Sequence, residues 1–389
     1  MDHPSKLPNL GTTIFTVMST LAVKYKAIDL AQGFPNFDTD PKLLQLVEQA
    51  LKAGHNQYAP MQGVYSLRER IAEKIASLHG FSYHPESEIT ITAGATQALF
   101  TAISTFIRPN DEVMVFKPAY DCYEPAIELN GGKVIPIQLS KTDFKIDWST
   151  VKEMITPKTK MVIINSPHNP SGTILSKDDL LQLQSALKGT NTIVLSDEVY
   201  EHLVFDGLVH ESVSRFSDLA TRSLICASFG KTFHVTGWKL GYIVGPKTLM
   251  QEFQKVHQYT VFCINHPMQK AVAAYLGDES HYLELNQFYQ EKRDYFLNAV
   301  RDSRFQFTPS KGTYFQVMDY SPISDENDID FSKRLIHEHG IASIPLSVFN
   351  LDHCDHRQLR FCFAKTRDTL DKAAEILNVV SCLDQTNER

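Results

Sequence analysis

A lysine placed just after a buried strand can lose its hydration, which lowers its pKa and makes it a usable amine nucleophile. Lys231 stands in such a place, in Ser228-Phe-Gly-Lys231-Thr-Phe-His-Val-Thr-Gly-Trp-Lys239, where an apolar run ends at Ser228 and a turn containing Gly230 follows. Gly230-Lys231-Thr232 also spells the end of a nucleotide-binding phosphate loop. That loop needs a glycine five residues before its second glycine, and the position holds Ile225, so the nucleotide reading fails. A second group, Ser196-Asp197-Glu198-Val199-Tyr200, leaves another apolar run. A carboxylate leaving a buried strand is a natural partner for a cationic ring nitrogen, and Tyr200 can reach the same loop cavity. A third, Asn165-Ser-Pro-His-Asn169-Pro170-Ser-Gly172, projects Asn169 from a turn stiffened by two prolines. The fourth, Thr92-Ala-Gly94-Ala95-Thr96-Gln97, sets small residues before a helix, where free backbone amides bind phosphate. Each has an ordinary explanation alone: a surface lysine, a helix-capping Asp, a well-made turn, a small-residue turn.

The elements that must position these groups are legible in the apolar pattern. Residues 89–92, 112–116, 134–139, 161–165, 192–196, 224–228 and 242–244 are short runs, mostly apolar on consecutive positions, as a sheet buried on both faces requires. Helical spacers such as 96–107 and 177–188 separate several of them. The alternation predicts an α/β fold with a mostly parallel seven-stranded sheet covered by helices, and ligands of such sheets sit at the carboxyl ends of the strands. The C-terminal part predicts a smaller α+β domain, with helices over 281–300, 331–339 and 366–379 and strands over 314–320, 342–348 and 358–363. The expected division is a large domain over 45–285 and a small one made of 1–44 and 286–389, with 384–389 a frayed tail.

Composition excludes whole classes. The 389 residues carry a net charge of −7 with no basic run, so nothing invites nucleic acid or anionic lipid, and a DNA-binding regulator built on the same fold is not expected. No stretch approaches the length of a membrane span, and residues 1–11 lack an apolar signal segment. The six cysteines are scattered without a CxxC pair, which favours a reducing compartment; the expectation is a cytoplasmic protein. His353-Cys354-Asp355-His356 and His337-Glu338-His339 have the composition of metal ligands but not the spacing of a closed site, and no metal is expected.

Taken together, four sheet ends offer, in chain order, a phosphate cradle, an asparagine, an Asp/Tyr pair and a lysine. This order resembles the class I/II aminotransferases of fold type I over nearly the whole chain. The strings at 168–172 (HNPSG), 197–200 (DEVY) and 228–239 (SFGKTFHVTGWK) carry the likeness. Those at 30–37 (LAQGFPNF), 56–60 (NQYAP) and 121–132 (DCYEPAIELNGG) make it most similar to the methionine-type and kynurenine/glutamine-type members. The resemblance implies pyridoxal 5′-phosphate as cofactor, held as a Schiff base on Lys231, which then shuttles the substrate's Cα proton. It implies that Asp197 keeps the pyridine nitrogen protonated and that Asn169 and Tyr200 bond the ring's phenolic oxygen. Tyr120 would stack on the ring, while Ala95, Thr96, Ser228 and Lys239 would hold the phosphate. Arg360 would grip the substrate α-carboxylate with a forked contact, and Gly33 and Phe15 would line the substrate's place. Tyr58 resembles a tyrosine that reaches the phosphate of the neighbouring subunit, which implies a homodimer with shared active sites. Lys239 departs from the arginine found in many relatives, so phosphate is expected to be held without a fork there. The segments Phe15, Phe34, Tyr58, Tyr120 and Phe262 are apolar or aromatic and no motif supplies a second arginine. Donors are therefore expected to be bulky and uncharged: methionine, aromatic residues, and also glutamine, leucine or kynurenine. A C–S β-lyase on the same cradle is the alternative; unlike a transaminase it needs no 2-oxo acid acceptor.

Overall fold

The computed structural model describes residues 3–380; the tail expected at 384–389 lies outside them. Its centre is a seven-stranded sheet whose order across the sheet is Ile89–Thr92, Gly241–Val244, Ser223–Ser228, Ile193–Asp197, Thr159–Asn165, Glu112–Lys117 and Lys133–Gln138. Only Gly241–Val244 runs antiparallel to its neighbours. Ile193–Asp197 and Ser223–Ser228 are buried at every position, because helices cover both faces. This explains why their sequences are apolar on consecutive residues and do not alternate. One face packs Val115, Leu195 and Ile243 beneath the helices Gly94–Phe106, which contributes Ile103, and Lys247–Thr260, and the other face packs Met114, Val162, Val194 and Val244.

The C-terminal part builds a three-stranded antiparallel sheet in which Gln358–Cys362 lies between Ile344–Pro345 and Phe315–Asp319. Ile28–Asp29 pairs in parallel with Ile341–Ala342, which ties the N-terminal segment to the C-terminal part.

Three expectations need correction. The stretch 281–300 is two helices, Ser280–Leu283 and Leu285–Ala299, separated at Glu284, whose ψ of −5° opens the winding. The stretch 342–348 is not one strand. Ile341–Ala342 and Ile344–Pro345 belong to different sheets, and Pro345 has no N–H to extend a ladder. Beyond it, Ser347 turns into a 3₁₀ segment because its N–H and hydroxyl both donate to the Asp328 carboxylate, at 2.7 and 2.6 Å. The helix expected over 331–339 starts earlier, at Asp328, where the Asn327 side chain accepts from the Asp330 N–H, and its last turn widens to a π-turn over Leu335–His339 before Gly340 (φ 70°) ends it. Lys231 sits, as expected, in a turn containing Gly230: a single helical turn, Phe229–Thr232, entered directly from the strand.

Candidate active site

The carboxyl ends of the central strands open on one cleft. Ala95, Thr96, Tyr120, Asn169, Asp197, Tyr200, Ser228, Lys231 and Lys239 all line it. These residues are spread over 145 positions of sequence, and the topology brings them together because the parallel strands end, and the antiparallel strand Gly241–Val244 begins, at the same edge.

Asp197 ends its strand almost completely buried. Burial pushes its carboxyl up to about 6, against the pull of a 2.6 Å hydrogen bond donated by the Tyr123 hydroxyl and one from the Val199 N–H. Among the described residues no lysine, arginine or histidine forms an ion pair with it. A shift of this size means that the folded protein carries a penalty of about 3 kcal/mol when the carboxylate is ionised, which an incoming cation would relieve. Lys231 carries the opposite burden: burial lowers its ammonium to about 8. Its Nζ donates to the Gly33 carbonyl at 3.1 Å and to the Tyr314 hydroxyl at 2.9 Å.

At the other end of the cleft the helix Gly94–Phe106 begins. Its first amides have no intrahelical acceptor, and the helix dipole favours an anion there. Space for such a group is kept by glycines. Gly94 has φ +74°, and a Cβ on it would sit 3.4 Å from the Lys239 ammonium; a Cβ on Gly241 would lie 3.2 Å from the Ala95 nitrogen and 2.6 Å from the Ala227 carbonyl. Ser228 and Lys239 face the same end, and the Thr96 hydroxyl is 3.2 Å from that of Tyr120.

Arg360 occupies the central strand of the small sheet and is 1% exposed; an edge position on the surface is ruled out. Its guanidinium donates to the Asn169 side-chain oxygen at 2.7 Å and to the Ala31 carbonyl at 3.0 Å, and lies 3.9 Å from the Phe315 ring centre, with Phe15 at 5.3 Å. Its Nε is buried and has no hydrogen-bond partner among the described residues. Gly33 approaches so closely that a Cβ would stand 2.6 Å from the Phe315 ring.

Some expected residues lie elsewhere. Tyr58 is 79% exposed and packs edge-on against Phe262, itself half exposed, outside this chain's own cleft. Phe34 lies on the surface beneath the Lys365 ammonium. Among the described residues, no group of three or more His, Cys, Asp or Glu side chains gathers as a metal site. Three contributors escaped the sequence reading: Tyr123 on Asp197, Tyr314 on Lys231, and Asn165, whose side chain accepts the Asn169 N–H and donates to the Asp197 carbonyl. Tyr123 and Asn165 stood inside strings already quoted, but nothing local distinguished them from packing residues.

An anion seat, a buried carboxylate lacking a cation and a desolvated amine, all on one cleft, fit pyridoxal phosphate: phosphate, ring nitrogen and aldehyde carbon in turn. Comparison with known proteins agrees. The family model described as aminotransferase class I and II matches residues 25–377. The chain is 48% identical to the methionine aminotransferase of Escherichia coli K12, over 96% of this chain and 97% of that one. It is 32% identical to the kynurenine–oxoglutarate transaminase of Dictyostelium discoideum, over 96% and 95%. The crystal structure of YbdL from Escherichia coli, which its authors identify with a methionine aminotransferase function, superposes with a TM-score of 0.95 at 47% identity, covering 97% of this chain and 99% of that one. The protein belongs to the class I and II aminotransferases, and is a pyridoxal-phosphate-dependent transaminase.

Proposed function

We propose that this enzyme takes the amino group from methionine and other long, uncharged amino acids, aromatic ones included, and delivers it to a 2-oxo acid. The observation that carries this reading is the arginine count. Arg360 is buried between Phe15 and Phe315 with a free Nε, a place for one carboxylate against apolar walls. The cleft-lining residues include two other cations, Lys231 and Lys239, and no further arginine. With one assigned to the cofactor's aldehyde carbon and the other to its phosphate, nothing in that lining is left for a side-chain carboxylate. The names borne by the Escherichia coli and Dictyostelium relatives support the same substrate class.

When bound, the cofactor supplies an electron sink for the pair left on the substrate's Cα. The chain's own groups do the rest. Lys231 provides the amine that carries the cofactor and then holds and returns the Cα proton. Asp197, fixed by Tyr123 and Val199, keeps a proton on the ring nitrogen. Asn169 and Tyr200 would bond the phenolic oxygen, Tyr120 would cover a ring face, and Ala95, Thr96, Ser228 and Lys239 would hold the phosphate. Arg360, with Gly33 close by, would orient the α-carboxylate and so present the substrate's Cα to Lys231. Each methylene of an apolar side chain discriminates only modestly, and a broad donor range follows.

The test is kcat/KM for methionine and phenylalanine against aspartate, with and without a 2-oxo acid. Methionine is expected to exceed aspartate by about tenfold or more, a difference of about 1.4 kcal/mol in transition-state binding. Aspartate ahead by that margin would overturn the pocket reading and leave the cofactor chemistry intact. Product formed at an undiminished rate without 2-oxo acid would favour the β-lyase.

The exposed pair Tyr58 and Phe262, with Tyr259 92% exposed nearby in sequence, supports a homodimer in which Tyr58 reaches the partner's phosphate. Mixing inactive Tyr58→Ala and Lys231→Ala subunits should then restore roughly a quarter of full activity, since half the dimers are hybrids with one intact site each. No recovery after verified subunit exchange argues against sharing. The division at 45 and 285 is part of the same proposal, as is a cytoplasmic setting, which the five free cysteines among the described residues favour.

A further inference from the structure

The surroundings of the Lys231 amine contain a group whose role nothing above explains. Tyr314 enters the small sheet just before Phe315–Asp319 and is fully buried. Its ring is fixed by edge contacts with Tyr200 at 5.1 Å and Phe315 at 4.9 Å, and by Tyr289 at 5.8 Å. Its hydroxyl lies 2.5 Å from the Gly33 carbonyl and 2.9 Å from Lys231 Nζ. A carbonyl only accepts, so the hydroxyl proton points at Gly33 and an oxygen lone pair is left facing the lysine. The ammonium thereby has two acceptors, Tyr314 Oη and Gly33 O, on the side of the small sheet and the N-terminal segment.

We propose that Tyr314 is a positioning residue for Lys231: with the Gly33 carbonyl it forms the seat that receives the lysine amine whenever that amine is not bonded to the cofactor. This rests on Lys231 being the cofactor-bearing lysine. An amine displaced by the incoming donor must be held close, with its exchangeable protons ordered, or it would wander through an open cleft before accepting the Cα proton. Two fixed acceptors do this. The segment bearing Gly33 is itself pinned by Arg360 on the Ala31 carbonyl and by Lys365 on the Phe34 carbonyl at 3.1 Å, so the seat and the carboxylate grip share one support. The hydroxyl of Tyr289, equally buried and packed on the same ring, has no hydrogen-bond partner among the described residues and provides the natural control.

An acceptor favours the charged amine, so removing it lowers the lysine's pKa. Burial already holds that value near 8, with Arg360 and Lys239 pushing it down and Cys362 and Asp197 pushing it up. The experiment uses cofactor-free protein, which separates it from any question of turnover. Trace acetylation with acetic anhydride across pH, with the Lys231 peptide quantified by mass spectrometry, gives the amine's midpoint. Tyr314→Phe keeps every ring contact, and its midpoint is expected about one unit below the wild type; Tyr289→Phe should leave the midpoint in place. Should Tyr314→Phe fail to fold, Tyr314→Leu is scored the same way. An unchanged midpoint, an equal fall in Tyr289→Phe, or a Lys231 unreactive in wild type and variant alike overturns the proposal. If borohydride instead fixes the cofactor on another lysine of the loaded enzyme, the failure belongs to the cofactor assignment and not to the seat.

Discussion

Replacing Lys231 by alanine is expected to cut turnover by at least about 10²–10⁴-fold, the share that a positioned proton-transfer group alone supplies. The loss should be in kcat, because the groups assigned to the phosphate, at the start of the helix Gly94–Phe106 and on Ser228 and Lys239, are untouched. The variant should therefore still bind cofactor together with an amino acid donor, and the mixture should be coloured but stalled. Wild-type protein should be yellow as purified, and borohydride should fix the label on the peptide that contains Lys231. Label on any other lysine, or turnover within tenfold of wild type in Lys231→Ala, would sink the assignment. The environment argues for the large effect. Burial lowers this ammonium to about 8, so about a tenth of the amine is free at pH 7, far more than an ordinary lysine offers to act as nucleophile and proton carrier.

The sequence reading reached the central sheet because strands covered on both faces must be apolar at every position. Ile193–Asp197 and Ser223–Ser228 advertise themselves in that way. The carboxyl ends of the parallel strands face one edge, where the antiparallel Gly241–Val244 also begins, so residues as distant as Thr96 and Lys239 meet in one cleft. The C-terminal part was less legible. Its strands at Ile341–Ala342 and Ile344–Pro345 are two residues long and serve different sheets, too short for any periodicity to declare itself. The helix break at Glu284 leaves no proline or glycine in the sequence to mark it.

Partners in space were legible least of all. Tyr123 meets Asp197 across 74 residues, and Tyr314 meets Lys231 across 83. A buried tyrosine that packs and one that positions a catalytic group look alike until the fold brings their hydroxyls to an acceptor or a donor. Arg360 shows the converse. The alternation around it suggested a cleft-facing arginine, and the central strand encloses it more completely than that pattern implied, between two aromatic rings and against Asn169.

Asp197→Ala should weaken cofactor binding and slow proton removal from the substrate's Cα by about 10²–10³-fold or more, the scale on which a single fixed electrostatic contact contributes to catalysis. The reason lies in what the carboxylate is without its partner. It is buried at the end of an all-buried strand, raised to about 6, hydrogen-bonded on one oxygen by Tyr123 and on the other by the Val199 amide, and without an ion pair among the described residues. A protein keeps an ionised carboxylate in such a place only against a cation, and a protonated ring nitrogen supplies one. Asp197→Asn tests the charge itself, since the amide keeps the size and can still accept from Tyr123, yet cannot hold a proton on the ring. Tyr123→Phe should move in the same direction by a smaller factor, because the charge remains and only its aim is loosened. Equilibrium dialysis for the cofactor and single-turnover kinetics with methionine give the two readouts separately. If Asp197→Asn matches the wild type in both, another carboxylate serves the ring; if Tyr123→Phe loses more than Asp197→Asn, the tyrosine has a role of its own beyond holding the aspartate.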